Sequence, residues 1–140
     1  MPDCVFCNIV SGVFTSSKVY EDDSILAFMD IFPVIKGHVL IIPKKHSELI
    51  SDVDDSTLGK MFVLASKINT SLRKSGIKCE GVNFFLADGA VAGQEIFHTH
   101  LHVFPRFNND GFGLKFPAGY KTEAERIELD SIAGKIKSAL

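Results

Sequence analysis

Three of the five histidines of this 140-residue chain fall at every second position, His98, His100 and His102. They lie in Gly93-Gln94-Glu95-Ile96-Phe97-His98-Thr99-His100-Leu101-His102-Val103-Phe104-Pro105-Arg106. In an extended strand, side chains at i, i+2 and i+4 share a face. The spacing therefore predicts a polar row of imidazoles, with Thr99, Leu101 and Val103 turned to a core and Pro105 ending the strand. Imidazoles in an otherwise apolar strand cost desolvation unless they bind something. Three uses compete: a solvated sheet face, three ligands on one ion, and a catalytic row. A flat row resists convergence on one ion, and three histidines in register beside a Gly-Gln turn are more than a solvated face needs.

As chemistry, a neutral imidazole is a nucleophile when one ring nitrogen keeps its proton and the other is free. His100, in the middle, is the candidate. A buried backbone carbonyl accepting its Nδ1–H would aim Nε2 outward, toward a phosphorus atom. The resulting phospho-imidazole would be resolved by water. Fixed donors must meet the phosphoryl charge, and His102, His38 and the amides of Gly93 to Glu95 are candidates. No metal is needed for these steps.

The elements that must position this row follow from periodicity. Phe6, Ile9 and Val10 have helical spacing after Cys4-Val5-Phe6-Cys7 and suggest a short helix ending at Gly12. Strands are predicted at 18–21, 25–30, 37–43 and 81–86, the third closed by Pro43 and headed by His38. Asp54-Asp55-Ser56 starts a helix whose apolar stripe is Leu58, Met61, Phe62, Ala65, Ile68 and Leu72, closing at Arg73, Lys74 and Gly76. The loop 87–93 carries two glycines and could approach a phosphate. After a turn at 108–111, Phe112, Leu114 and Phe116 alternate as a flap or a partner contact. Thr122-Glu123-Ala124-Glu125 is a capping box for a last helix with Ile127, Ile132, Ile136 and Leu140 on one side. The fold class is α+β: a five-stranded antiparallel sheet, one long helix packed on it, and short N-terminal and C-terminal helices.

The length suits one domain over 1–140, with a core at about 4–106 and a flap and helix over 107–140. A net charge of −2 gives no reason to expect nucleic-acid polymers. No apolar run approaches a membrane span, and the start Met1-Pro2-Asp3-Cys4 lacks a secretory pattern. Three cysteines make a poor disulfide framework and fit a reducing cytoplasm. Read alone, Cys4 and Cys7 are half a zinc site, a redox pair or small buried hydrophobes. Cys79 is an idle or buried thiol.

From Phe6 to about Arg106 the chain resembles the histidine triad (HIT) family, microbial zinc-containing branch. The resemblance is carried by Ala92-Gly93-Gln94, the three histidines and the Val103-Phe104-Pro105-Arg106 exit. It implies hydrolysis of a nucleotide α-phosphate bond through a nucleotidyl-histidine on His100. The leaving group is an amine in the phosphoramidase branch and a nucleotide in the dinucleoside polyphosphate branch. His38 corresponds to the family's upstream supporting histidine and His102 to the one that contacts phosphate. Asp30-Ile31 corresponds to the ribose-binding pair, and Phe6, Ile9 and Phe28 to the slot for the base, implying a purine nucleotide partner. Ala87, Gly93, Gln94 and Glu95 are the remaining nucleotide-contact positions. The resemblance also implies a homodimer with a joined ten-stranded sheet, and structural zinc on Cys4, Cys7, His46 and His98, a closed Cys2His2 set.

The chain departs from the pattern twice. Ala87 stands where relatives carry Asn or Gln, and Glu95 where some carry Ser or Thr. Ala87 favours the alternative of a nucleotide-binding regulator with little turnover. A uridylyltransferase of the related galactose-phosphate branch would have Gln at the third histidine, and His102 argues against it.

Overall fold

The protein is described here by a computed structural model over residues 3–140; Met1 and Pro2, part of the stretch read for a leader, lie outside the described residues. The elements are α1 (Val5–Val10), β1 (Lys18–Glu21), β2 (Ile25–Met29), β3 (Val39–Pro43), α2 (Asp55–Lys74), β4 (Gly81–Phe85), β5 (Leu101–Arg106) and α3 (Arg126–Ala139). Short 3-10 turns occur at Ile50–Asp52 and Ala90–Ala92. The strands pair antiparallel throughout, in the order β1-β2-β3-β5-β4. The expected architecture is present.

Alternation in the strands sorts the side chains into two cores. Ile25, Ala27, Val39, Ile41, Leu101 and Val103 face α2 and pack on its buried Met61, Leu64, Ala65, Ile68 and Leu72. At about 1.5–3 kcal/mol for each large side chain removed from water, this layer is the main source of stability. Leu26, Phe28, Leu40 and Ile42 face the other way and are covered by Phe6 of α1. His102 pairs opposite Leu40 and so belongs to this second face. α2 starts where Asp54 accepts from the Thr57 N–H at 2.9 Å, with Asp55 in its first turn and Arg73 and Lys74 in its last, each complementing the helix dipole.

Four details differ from the sequence expectations. β5 begins only at Leu101, so His98 and His100 precede the strand. Extending the β3 register would set Thr99 against Pro43, which has no N–H to give; the Thr99 N–H instead donates to the Ser47 carbonyl at 2.7 Å. Pro105 does not end the strand: pairing with β4 continues through Val82–Pro105 to Gly81–Arg106, whereas pairing with β3 has already stopped at Val39–Val103. Phe62, counted in the apolar stripe of α2, is 46% exposed, and Leu64 is buried instead; the segment 112–116, expected as a flap, forms no strand, with Phe112 meeting Phe104 edge-on at 5.5 Å and Phe116 stacking on Tyr120 at 4.1 Å. The capping box does not form either. The Thr122 N–H is used by the Gly119 carbonyl at 3.0 Å, after a left-handed Lys121, and α3 starts at Arg126 with Glu125 as an N-cap that makes no side-chain bond.

Arg106 fixes where the chain leaves the sheet. It donates to Asp110 Oδ2 at 2.7 Å, to Asn83 Oδ1 at 2.7 Å and to the Phe112 carbonyl at 2.6 Å. Beyond this clamp, every residue from 113 to 140 is exposed, including all of α3. No helix among the described residues is long and apolar enough to cross a membrane.

At the entrance to β3, Gly37 has φ +104°, and a Cβ there would stand 3.1 Å from Pro105 Cγ and 3.3 Å from Ile77 Cγ2. Gly37→Ala combines left-handed strain with overpacking, and is expected to lower stability by about 1–3 kcal/mol. The urea midpoint reads this directly; a midpoint equal to wild type would refute the strain assigned to this turn.

Candidate active site and metal cluster

The second sheet face carries a chain of rings in contact. His46 meets His98 at 5.1 Å between centroids, Phe6 lies edge-on to both His98 and His100, His100 meets His102 at 4.9 Å, and His102 meets His38 at 5.0 Å. β3 supplies the approach to His38, β5 holds His102, and the segment before β5 holds His98 and His100. The row survives although only its last member is on a strand, because Pro43, Ser47 and Ile96 hold the approach segment by its backbone and the His98 ring.

The hydrogen bonds assign a tautomer to each ring. The His98 Nε2–H donates to the Pro43 carbonyl at 2.8 Å, so its Nδ1 is unprotonated. The His100 Nδ1–H donates to the His98 carbonyl at 2.6 Å, so Nε2 carries the lone pair. The Val34 N–H donates to His38 Nδ1 at 3.1 Å. His38 therefore carries its proton on Nε2 and donates to His102 Nδ1 at 2.8 Å. That leaves His102 with an Nε2–H. The orienting groups are the Val34 amide and the Pro43 and His98 carbonyls, backbone atoms with no signature in the sequence.

Burial is the main cause that pushes the pKa of His38, His98, His100 and His102 below the ordinary histidine value. His102 falls to about 4, with the neighbouring His100 and His38 adding to the effect. Asp30 opposes the shift at His38, where its Oδ2 lies 3.6 Å from Nε2. The four rings are thus neutral at pH 7.

The other expected contacts divide. Phe6 and Phe28 are buried and meet edge-on at 5.6 Å, and Ile9 packs beside them half-exposed. Asp30 Oδ1 accepts from the Phe32 N–H at 2.8 Å, so this residue both starts the turn and leaves its second oxygen toward His38. Ile31 is 81% exposed. The Gly93 and Gln94 amides donate to the Ala90 and Gly89 carbonyls. The Gln94 side chain is committed to Gly89, Glu48 and Ile96. Ala87 is buried, and the neighbouring Asp88 accepts from the Ile50 N–H at 2.7 Å. Asp88 is therefore tied to the Ile50 turn. Glu95 lines a surface cavity of about 380 Å³ with Cys4, His46 and Glu48.

Beside the row, Cys4, Cys7, His46 and His98 bring four ligand atoms within 4.8 Å of one another. Cys4 Sγ lies 3.4 Å from His98 Nδ1, and Cys7 Sγ 3.3 Å from His46 Nδ1. Two thiols and two imidazoles, one of them with its lone pair fixed toward the sulfurs, suit a tetrahedral cation such as zinc. Cys79 stands apart, its thiol donating to the Gly81 carbonyl at 3.2 Å.

A family pattern described as the HIT domain matches residues 11–109. The chain belongs to the HIT family. It is 46% identical over 129 residues, 91% of this chain and 93% of the relative, to an uncharacterized HIT-like protein of Borreliella burgdorferi. Among solved structures, a HIT family protein from Bacillus anthracis superposes with a TM-score of 0.89 at 38% identity, covering 99% of this chain and 97% of that one. A Zn-bound histidine triad family protein from Mycobacterium smegmatis has a TM-score of 0.76 at 35% identity, with 99% of both chains covered. A histidine triad nucleotide-binding protein from Candida albicans has a TM-score of 0.86 at 29% identity, covering 98% of this chain and 96% of that one.

The lowered pKa values fix a pH dependence. Histidines of the unfolded chain titrate near 6.5. As pH falls from about 6.5 toward 4, the unfolded chain takes up protons that native His38 and His102 refuse, so stability drops across that window and is level above it. Urea midpoints measured from pH 4.5 to 8 should show this slope. In His102→Gln the slope should be shallower; an unchanged slope would mean that His102 is not held neutral.

Proposed function

We propose that this HIT protein hydrolyses a purine nucleotide at its α-phosphate, through a covalent nucleotidyl-histidine on His100. The observation that carries the reading is the bond from His100 Nδ1–H to the His98 carbonyl at 2.6 Å. It fixes the tautomer whose Nε2 lone pair is free to attack phosphorus. In the first step the Nε2–P bond forms and the bond from phosphorus to the leaving amine or nucleotide breaks. In the second, water displaces the imidazole and a nucleoside monophosphate is released.

The neutral His102 Nε2–H is a donor for the phosphoryl oxygens. His38 keeps it so by donating to His102 Nδ1, and is itself kept in register by the Val34 amide. Asp30 would accept from the ribose hydroxyls through the oxygen left free of the Phe32 turn. Phe6, Ile9 and Phe28 would bound the base, with Ile31 beside the sugar. Of Gly93, Gln94 and Glu95, the first two contribute by shaping the loop, since their amides are already bonded.

Cys4, Cys7, His46 and His98 would hold zinc, which supplies a cross-link between α1 and the segment carrying the nucleophile. The protein would work in the reducing cytoplasm, where the thiols persist. A second copy would join at β4, an edge strand with Phe84 and Phe85 exposed, to give a homodimer. The second reading, a nucleotide-binding regulator with little turnover, is favoured by Ala87 together with the commitment of Asp88 to Ile50.

Brief mixing with an adenosine phosphoramidate, followed by acid quench and intact mass, should show an adenylyl adduct on the wild type and none on His100→Ala. Asp30→Asn should raise KM by about tenfold or more while sparing the adduct, as expected for loss of a charged acceptor. AMP binding without adduct or turnover over a panel of phosphoramidates and dinucleoside polyphosphates would leave the regulator reading in its place.

A further inference from the structure

His98 is engaged at four of its atoms. Its Nε2–H donates to the Pro43 carbonyl at 2.8 Å. Its Nδ1 lies 3.4 Å from Cys4 Sγ and 3.7 Å from Cys7 Sγ. Its own N–H donates to the Ile96 carbonyl at 2.9 Å. Its carbonyl accepts the His100 Nδ1–H at 2.6 Å. The residue has no exposed surface. A single residue thus stands between the four-ligand cluster and the ring that attacks phosphorus: its side chain belongs to the first, and its peptide oxygen orients the second.

We infer that His98 is a positioning residue that makes the alignment of His100 conditional on a divalent cation in the Cys4–Cys7–His46–His98 cluster. The inference rests on the reading of His100 as nucleophile. With the cluster filled, the His98 ring is fixed at both nitrogens, and its carbonyl cannot rotate away from the His100 Nδ1–H. With the cluster empty, Nδ1 keeps only contacts to thiols, which are weak donors. Cys4 and Cys7 are the N-cap and an early residue of α1, a helix of six residues, too short to hold its place by its own backbone bonds. Phe6 lies between them in sequence and packs edge-on to both His98 and His100, at 5.8 Å and 5.2 Å. Loosening α1 therefore loosens the wall of the nucleophile as well. Partners that orient a ligand or a nucleophile in this way typically change activity by about 10–100-fold when lost.

The full chain is prepared with one equivalent of zinc, then stripped by a chelator, with metal content followed by native mass spectrometry. Three readings are taken: long-range 1H–15N spectra of the imidazoles with His100 assigned by His100→Ala, the Kd for AMP, and the single-turnover rate of adduct formation. On stripping, His100 is expected to lose its single Nδ1–H pattern and the adduct rate to fall by at least about tenfold, a larger factor than any loss of AMP affinity, with zinc restoring the wild-type values. Cys7→Ser should behave as the stripped protein, and Cys79→Ser as wild type. Loading with 113Cd gives a measurement that needs no metal-free protein: AMP seated against His100 bears on the bond to the His98 carbonyl, so it should shift the cadmium resonance in wild type and not in His100→Ala.

Retention of the Nδ1–H pattern and of the adduct rate without metal overturns the inference. So does global unfolding on stripping combined with a cadmium resonance indifferent to AMP, which is a purely structural cluster. If zinc-loaded wild type forms no adduct, the nucleophile reading fails, while the tautomer and cadmium measurements still decide the positioning role.

Discussion

The imidazole of His100 is closed against its own backbone, its Nδ1–H given to the His98 carbonyl two residues before it. The remainder of the second sheet face can be understood as what that bond requires. A carbonyl that holds a ring in one tautomer must itself be held, and His98 is fixed by Pro43 on one side and Ile96 on the other. The rings of His38, His98, His100 and His102 could not all carry charge in so little water. Burial drives His38, His98, His100 and His102 toward the neutral form. Once neutral, each ring has one donor and one acceptor, and the order in which they are paired becomes the chemistry.

The sheet makes that order possible. β5 lies between β3 and β4, so His102 stands directly opposite Leu40, with His38 near by at the head of β3. The proline that ends β3 does double service. Lacking an N–H, Pro43 stops the ladder before His100, and its freed carbonyl becomes the acceptor for the His98 ring. Had the ladder continued, Thr99 would be paired to β3, and the backbone of residues 98 to 100 could not curl its carbonyl toward the following imidazole. The irregular segment can bring the His98 carbonyl to the His100 ring because it is irregular.

Much of this was legible beforehand, and the limits of legibility have a physical pattern. The apolar, β-branched run Val39–Pro43 closed by proline and the 3-4 spacing of Met61, Ala65, Ile68 and Leu72 identify the sheet and α2, because both report burial. Cys4, Cys7, His46 and His98 converge as the family resemblance implied. The every-second-residue spacing misleads at His98 and His100, where backbone bonds to Ser47 and Ile96 override the strand it suggests. Alternation at Phe112, Leu114 and Phe116 has no layer to face, and the segment forms no strand, as its reading as a flap allows. The Val34 amide, the Pro43 carbonyl and the His98 carbonyl are invisible in any sequence, since every residue but proline carries both groups.

The charge pattern of the site bears on how it would treat a phosphate. Arg106, four residues beyond His102 in β5, is held by Asp110, Asn83 and the Phe112 carbonyl, and so serves the exit of the chain rather than a ligand. Within the row, the groups that would face a phosphoryl oxygen are neutral N–H dipoles, with the His102 Nε2–H foremost. Fixed neutral donors attract a ground-state anion weakly. They gain most where charge grows and shifts during attack, since they need not reorganise. Asp30 sharpens the contrast. A carboxylate 3.6 Å from His38 Nε2 would repel a misplaced phosphate while accepting from sugar hydroxyls. On the proposed reading, a site built this way would favour the transition state over tight binding of a nucleotide, which is the division of free energy that turnover requires.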